Sequence, residues 1–524
     1  MTFACLPARS RARSVVKARV PSFLRTHRTM GDLISSGQGL AERLRRVKEV
    51  ARLRPFDGST AEGRSKERYR RIVLTTATGL TTRFVTAIVG LFTIPLALSY
   101  LGKEEYGLWA VVTSFVAWTS LFDFGIVNSL VNALSEANGK NSPEDAKRYV
   151  STAFFVLLAI ASILGLVLAV SAGWVPWSRL LAVRIDIPQR TVMWTAVNAL
   201  ICVLVALPLS IVRQIYAGYQ KAYIGNLFTI LGAVITLLAL YLVIWTRGGL
   251  PALVFAFAGP PVLIAFINLL YLAFKEMPWL TPRVGNVSRR AMRRLLSTST
   301  PLFLFQVGGL LVNETQIIVL AHATNLDLVS ECSIIWRLGA TLSTFVALGT
   351  GAFIPAFREA YERGDQVWMR AGFRRMLLLR MSIAAAAALV LTLGGNTLLR
   401  VWLHRGDFHF TSTLWIAQAV VLVSTVWSTA FGDFLTIMDR IWVQVVMVMI
   451  NGIITISLTL VLAPRLGLLG AIISIGFTTA CFWTWVTPLL VRRFILQRPH
   501  DLTKVVLNKL ADAQTVACPD GSPN

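Results

Sequence analysis

The sequence predicts an all-α, polytopic membrane protein of about twelve transmembrane helices, and three observations carry that fold class. Hydrophobic residues make up 55% of the 524 positions and charged residues only 15%, against roughly 25% charge in soluble domains. Mean hydropathy is +0.63. Twelve apolar stretches follow one another, near 72–99, 108–133, 150–173, 191–212, 224–246, 250–273, 298–321, 331–354, 376–399, 412–437, 442–462 and 467–491. Each is close to or above the ~20 helical residues that cross a hydrocarbon core of roughly 30 Å.

Residues 1–71 are of different material and read as a basic cytoplasmic arm. Between Met1 and Met30 there is no acidic residue, and Arg9, Arg11, Arg13, Lys17, Arg19, Arg25 and Arg28 lie among small residues. This segment reads either as an organellar transit peptide or as sequence upstream of a true start at Met30; it has no apolar core of a secretory signal. From Leu40 to Arg54, Leu40, Leu44, Val47 and Ala51 line one face, which suits a helix lying on the membrane surface or a solvated arm.

The basic residues flank the spans. With the N-terminus inside, about 40 non-spanning Lys and Arg fall on the inner side against about 8 outside, which orients both termini to the cytoplasm. The longest basic connection carries Arg289, Arg290, Arg293 and Arg294 and follows the sixth span. The expected domains are therefore a six-helix lobe at 72–273, a cytoplasmic linker at 274–297, a second lobe at 298–491 and a tail at 492–524. Arg70-Arg71 before a Thr-rich helix start recurs as Arg293-Arg294, a faint repeat of the kind many transporters contain.

Polar residues inside these spans mark the candidate site. Arg83 lies about 11 residues into the first span, roughly 17 Å deep at ~1.5 Å per residue, where a guanidinium costs at least about 2.5–3.5 kcal/mol. Thr76, Gly79, Arg83, Thr86, Gly90 and Thr93 step by three and four along one helix face. Close helix packing accounts for the small residues of that stripe but not for the arginine, so the face is expected to line a hydrated lumen. The seventh span repeats the device with Gln306, Gly309, Asn313 and Gln316, with Glu314 beside them. The eighth carries Ser333, Arg337, Thr341 and Thr344, and the second carries Asp123, Asn128 and Asn132. Arg83 and Arg337 are the expected anion-binding residues, and Thr76, Thr86, Asn128, Gln306, Asn313 and Thr341 the expected lumen lining. Asp123 and Glu314 read either as ion or proton sites or as counter-charges. Arg380 and Asp433 lie near span ends, where long side chains snorkel to the surface. Pro95, Pro208, Pro260, Pro261, Pro301, Pro355 and Pro488 bend their helices.

Other chemistries find little support. Cys5, Cys202, Cys332, Cys481 and Cys518 have no metal-ligand or redox spacing, and the five histidines lie in tails or near span ends. No catalytic residue, metal or cofactor is expected, with proton or sodium coupling left open. The charge of +25 sits at span ends, which points to anionic lipid rather than nucleic acid.

Four motifs, in order on such a chain, resemble the polysaccharide flippases of the multidrug/oligosaccharidyl-lipid/polysaccharide exporter superfamily. They are Leu101-Gly102-Lys103-Glu104-Glu105-Tyr106-Gly107-Leu108-Trp109; Phe122-Asp123-Phe124-Gly125-Ile126; Pro355-Ala356-Phe357 with Ala360 and Gly364-Asp365; and Leu466-Gly467-Leu468-Leu469-Gly470-Ala471. The resemblance covers about residues 70–493. It implies two lobes around a cavity in a bacterial cytoplasmic membrane, and outward flipping of undecaprenyl-diphosphate-linked glycans for surface polysaccharide, including lipopolysaccharide. In the branch that carries peptidoglycan precursors, arginines on helices one, two and eight engage the diphosphate. Arg83 and Arg337 lie on matching helices, whereas the second helix has Asp123 and no arginine. The expected partners are a lipid-linked oligosaccharide, membrane lipids and other polysaccharide-assembly proteins, for a chain acting as a monomer. The alternatives are a drug/cation antiporter of the same superfamily, expected to have a cavity dominated by carboxylates, and a membrane-embedded polymerase or acyltransferase, expected to have a large external loop or a convergent His/Asp/Glu site.

Overall fold

A computed structural model describes residues 61–181, 187–347, 357, 360, 361, 365–403, 408–438 and 440–496. The arm before residue 61, the Leu40–Arg54 stretch, Pro355, Gly364 and the tail after residue 496 lie outside the described residues. Two compact units divide the chain, Met1–Val73 and Leu74–Asn524. In the first, the described residues are helical and Glu67 pairs with Arg70 at 2.8 Å and Arg71 at 2.9 Å.

Among the described residues helix predominates and there is no strand. The helices are α1 (Ala61–Trp118), α2 (Ile126–Gly139), α3 (Pro143–Ser171), α4 (Gln189–Leu209), α5 (Ile211–Gly218), α6 (Ala222–Trp245), α7 (Leu250–Tyr271), α8 (Arg289–Asn313), α9 (Thr315–Ala323), α10 (Leu326–Ala347), α11 (Gln366–Leu403), α12 (Ser412–Ile437), α13 (Ile441–Thr478) and α14 (Thr484–Leu496). Among the described residues nine helical stretches are long and apolar enough to cross a membrane. Two of them carry a break where a glycine takes a left-handed φ, Gly102 at 78° and Gly467 at 58°. These are the glycines of the two Leu-Gly motifs. A side chain there would be strained, so each motif is a sharp turn between successive spans.

Several boundaries differ from the sequence reading. α11 starts ten residues before the expected 376 and carries Arg370, Arg374 and Arg375 ahead of the span. The second span is not one helix. It passes through a 3-10 turn at Thr119–Asp123, then Phe124 and Gly125 at φ 48° and 72°, before α2 begins. The seventh span is likewise divided at Glu314, between α8 and α9.

The span ends sort into two sets, and contacts join like with like. At the ends expected outside, the Tyr100 hydroxyl donates to the Gly248 carbonyl at 2.6 Å and Lys103 pairs with Glu331 at 3.8 Å. At the ends expected inside, Glu136 pairs with Arg294 and Lys221 with Glu276, and the backbone N–H groups of Arg283 and Ser288 donate to the hydroxyls of Ser151 and Thr152. Successive spans therefore cross in alternate directions. Trp174 and Trp245, 87% and 74% exposed beside the ends of α3 and α6 expected outside, suit the membrane interface that aromatic residues favour.

The apolar core follows the same division. One cluster at the outer ends mixes the two halves of the chain, Leu98, Val111 and Leu253 with Leu326, Ile334 and Leu422. At the inner ends there are two clusters, one built from Ile126 to Leu295 and one from Phe357 to Val491. The halves thus share one large apolar cluster at the ends expected outside, while at the other ends Leu295 of α8 packs into the first-half cluster beside the Glu136–Arg294 pair.

Candidate functional site

Between the halves lies a cavity of about 800 Å³. Its walls come from both segments of α1, from α4, α6 and α7, and from the α8–α9 junction and α10. Arg337 and Glu314 are the two charged residues of the lining. Tyr106, Trp109, Phe257 and Trp336 supply aromatic surface, with Trp109 edge-on to both Tyr106 at 5.4 Å and Phe257 at 5.3 Å. Such a wall offers ring faces for apolar or sugar C–H surface and a few polar groups to orient a ligand.

The first-span stripe divides. Thr86, Gly90 and Thr93 line the cavity, whereas Thr76, Gly79 and Arg83 lie outside its lining. Gly79 faces Asn226 of α6, whose amide donates to the Thr78 hydroxyl at 3.1 Å. Arg83 shares the helix face of Thr86 and Gly90, about one turn away. It is exposed and forms no ion pair or side-chain hydrogen bond among the described residues.

Arg337 projects from α10, also exposed and without an ion pair. It acts electrostatically on Glu314 and on Tyr106, while the Glu314 carboxylate faces the Ser114 hydroxyl. The two charges share one cavity without direct contact. Asn313 lines the wall and its amide donates to the Gly309 carbonyl at 2.8 Å. Thr341 lies outside the lining, its hydroxyl donating to the Arg337 carbonyl at 2.8 Å.

Asp123, Asn128 and Gln306 belong to a seam rather than to the cavity wall. The buried Asp123 carboxylate accepts the Gly125 backbone N–H at 2.8 Å and so closes the turn that divides the second span; it pairs with neither Arg83 nor Arg337. A Cβ on Gly125 would stand 3.0 Å from Ser299 of α8. The Gln306 amide donates to the Ser120 hydroxyl at 3.1 Å and accepts a long 3.5 Å contact from Asn128. Arg380 and Asp433 pair at 2.8 Å.

Sequence reasoning passed over Tyr106, Trp109 and Trp336 as lining, although the first two sit in a motif it singled out. Ser114 and Phe257 carried no signal, since one hydroxyl or ring in an apolar helix is ordinary packing. Among the described residues no group of three or more His, Cys, Asp or Glu could hold a metal ion.

Residues 73–360 match the family described as polysaccharide biosynthesis protein. A Salmonella typhi protein named as an O-antigen transporter is 19% identical over 425 residues, 79% of this chain and 95% of the relative. A Yersinia pseudotuberculosis protein named for O-antigen export is 22% identical over 78% of this chain and 94% of its own length. Among solved structures, an inward-facing multidrug-resistance transporter of the MATE family, in the MOP superfamily, aligns with a TM-score of 0.66 at 14% identity, over 79% of this chain and 98% of its own. A MOP-superfamily transporter from Pyrococcus furiosus, described as having a binding pocket of reverse polarity, aligns at 0.60 and 14%, over 81% and 95%. The fold is that of these transporters.

Proposed function

Because the chain belongs to the polysaccharide biosynthesis protein family, we propose that it translocates an undecaprenyl-diphosphate-linked oligosaccharide across the bacterial cytoplasmic membrane for surface polysaccharide assembly. The observation that carries this reading is Arg337, a guanidinium without an ion-pair partner among the described residues, in the wall of a cavity of about 800 Å³ within the spans. An arginine so placed is costly to insert, and a diphosphate returns that cost through charge-assisted, bidentate hydrogen bonds. Arg83, on the face that leads to Thr86, gives the anion a second contact. The aromatic wall suits the sugar, and the polyprenyl tail stays in lipid between two lobes, 72–273 and 298–491. In this reading twelve spans place both termini in the cytoplasm, the protein works as a monomer by alternating access, and no covalent chemistry occurs.

A drug/cation antiporter reading draws on Glu314, the one carboxylate of the lining. Proteoliposomes carrying labelled lipid-linked oligosaccharide separate the two. Protein-dependent movement of the label to the opposite leaflet is expected; its absence, together with cation-driven efflux of an organic cation, would put the antiporter in its place.

A further inference from the structure

A second cavity of about 450 Å³ lies in the first half of the chain, walled by α4–α7 with Thr86 of α1 and Val127 of α2. It shares Thr86, Ala206, Ala233 and Pro261 with the larger cavity, so the two adjoin. Its one charged residue is Arg213 of α5, exposed and in no ion pair or side-chain hydrogen bond among the described residues. The neighbouring cation at this end, Lys221, is paired with Glu276 at 2.6 Å. Arg213 is therefore not one more neutralised charge of a basic rim.

Its setting is built. The Arg213 stem lies along Gly225 of α6, where a Cβ would stand 3.2 Å from the arginine Cγ and 3.5 Å from the Tyr216 ring. A buried glycine thus leaves the room that the stem occupies. The same cavity is lined by Gln214, Thr229 and the buried Asn268, whose Oδ1 accepts the Tyr216 hydroxyl at 3.0 Å. A cation that served only to orient α5 by the positive-inside rule would need neither a cavity nor a glycine seat.

We infer that Arg213 is the centre of a second anion-binding subsite, at the inner end of the first half, that takes the diphosphate before it reaches Arg83 and Arg337. The inference rests on the flippase reading and deepens it. Arg213 stands at the inner end of the fourth span, Arg83 roughly 17 Å into the first, and Arg337 about six residues, roughly 9 Å, from the outer start of the eighth. Arg213 and Arg337 then stand in two adjoining cavities, and Arg83 lies about one turn from Thr86, which both cavities share, so the three guanidiniums stand at three depths. An anion moving outward exchanges one cation for the next instead of crossing the apolar layer bare.

The test uses the full chain in nanodiscs of phosphatidylcholine, with undecaprenyl diphosphate titrated and bound lipid measured by native mass spectrometry. Inorganic pyrophosphate serves as a competitor, and phosphatidylglycerol replaces phosphatidylcholine in a parallel set. Arg213→Gln should weaken diphosphate binding about tenfold or more, the loss expected of a charge-assisted bond, with Arg213→Lys intermediate. Gly225→Val keeps the guanidinium but fills its seat, and should resemble Arg213→Gln. Pyrophosphate should compete in the wild type and lose that effect in Arg213→Gln. Folding is checked in each variant by size exclusion and thermal unfolding. Wild-type binding in a folded Arg213→Gln overturns the inference, as does displacement by phosphatidylglycerol without competition by pyrophosphate, which makes Arg213 a lipid anchor. If the wild type neither binds nor moves the polyprenyl diphosphate, the flippase reading falls instead, and direct binding of pyrophosphate to the wild type but not to Arg213→Gln then decides whether Arg213 holds an anion.

Discussion

Gly107 is the position where one methyl group should do most to this protein. A Cβ there would sit 2.2 Å from the carbonyl oxygen of Leu326 and 2.9 Å from its carbonyl carbon. Real Cβ atoms essentially never approach below 3.0 Å, so the second segment of α1 and the start of α10 must separate by close to 1 Å. The obstacle is backbone, which has no rotamer to yield. Overpacking of this kind costs about 1–3 kcal/mol, and each 1.4 kcal/mol is a tenfold change in an equilibrium constant. This contact lies in the apolar cluster that joins the two halves at the outer end. Gly107→Ala should therefore raise the population open at that end by about 5- to 150-fold. Cys332, 2% exposed on α10 one turn and a half from Leu326, reports it: its alkylation by a membrane-impermeant maleimide from outside should accelerate in that range. Gly309→Ala is the control, because nothing lies within 4 Å of a Cβ there. Unchanged Cys332 labelling in an abundant, folded Gly107→Ala protein would refute the reasoning.

Arg83→Ala should abolish translocation with the protein inserted at normal abundance, since removal relieves an insertion cost, and Arg83→Lys should restore only part of it because an ammonium lacks the planar fork. For Glu314 and Arg337, detergent stability and gradient-driven flipping of Glu314→Gln, Arg337→Gln and the double variant separate two roles. If Glu314 balances Arg337, the double variant should recover stability that a single one loses; if it carries a coupling proton, Glu314→Gln should be stable and lose only its response to a pH gradient. The Glu136 carboxyl is held below its ordinary 4.5, first by the Lys140 hydrogen bond and then by the Arg294 charge. A depressed carboxylate contributes above its unfolded pKa and loses that contribution as pH falls through the folded one. Hydrogen exchange at the start of α8 should therefore rise on acidification below about 4.5 and show no such step in Glu136→Gln. Reporter fusions after Lys275 and after Arg498 should both read cytoplasm and one near Asp327 exterior, a swap at any of them overturning the orientation.

The all-helical, membrane-crossing character was legible because apolar length is a property of the sequence itself. The division of the second and seventh spans was not. Apolar residues continue across Thr119–Gly125 and across Glu314 with no proline to mark a stop, and the turn is set by tertiary fit, Gly125 against Ser299. The stripe Thr76 to Thr93 was drawn as one face, and geometrically it is one. A straight face nevertheless meets different neighbours along its length, so Gly79 packs on Asn226 while Thr86, Gly90 and Thr93 meet the cavity. Arg213 counted among the inner loop charges because it follows a span, and only the fold shows its stem seated inside the bundle. Asp123 looked like a charge in need of a partner; in the structure a backbone N–H supplies it.

The two ends of the molecule are held together by different physics, and that difference bears on how it opens. Outside, the halves share one apolar cluster and a backbone contact at Gly107, with Lys103 set between Glu331 and the Phe408 ring, 4.4 Å from its centroid. At the ends expected inside, Leu295 of α8 joins the first-half core and the Phe303 ring lies 5.9 Å from that of Phe124, beside the Glu136–Arg294 pair and the amide contacts around Gln306. Apolar seams lose free energy in proportion to area exposed, whereas hydrogen-bonded groups exchange their partners for water at small net cost. The seam at the ends expected outside, with the larger shared apolar cluster, is then the costlier of the two to open. Moving such an equilibrium from 1:99 to 99:1 takes about 5.5 kcal/mol of differential binding. A single neutral hydrogen bond contributes about 0.5–1.5 kcal/mol and one to a charged group about 1.5–3, so no one contact suffices. On the proposed function, a diphosphate held at Arg337 by several charge-assisted bonds reaches that range, whereas an anion held at Arg213 alone does not, so filling the inner subsite would leave the outer seam closed.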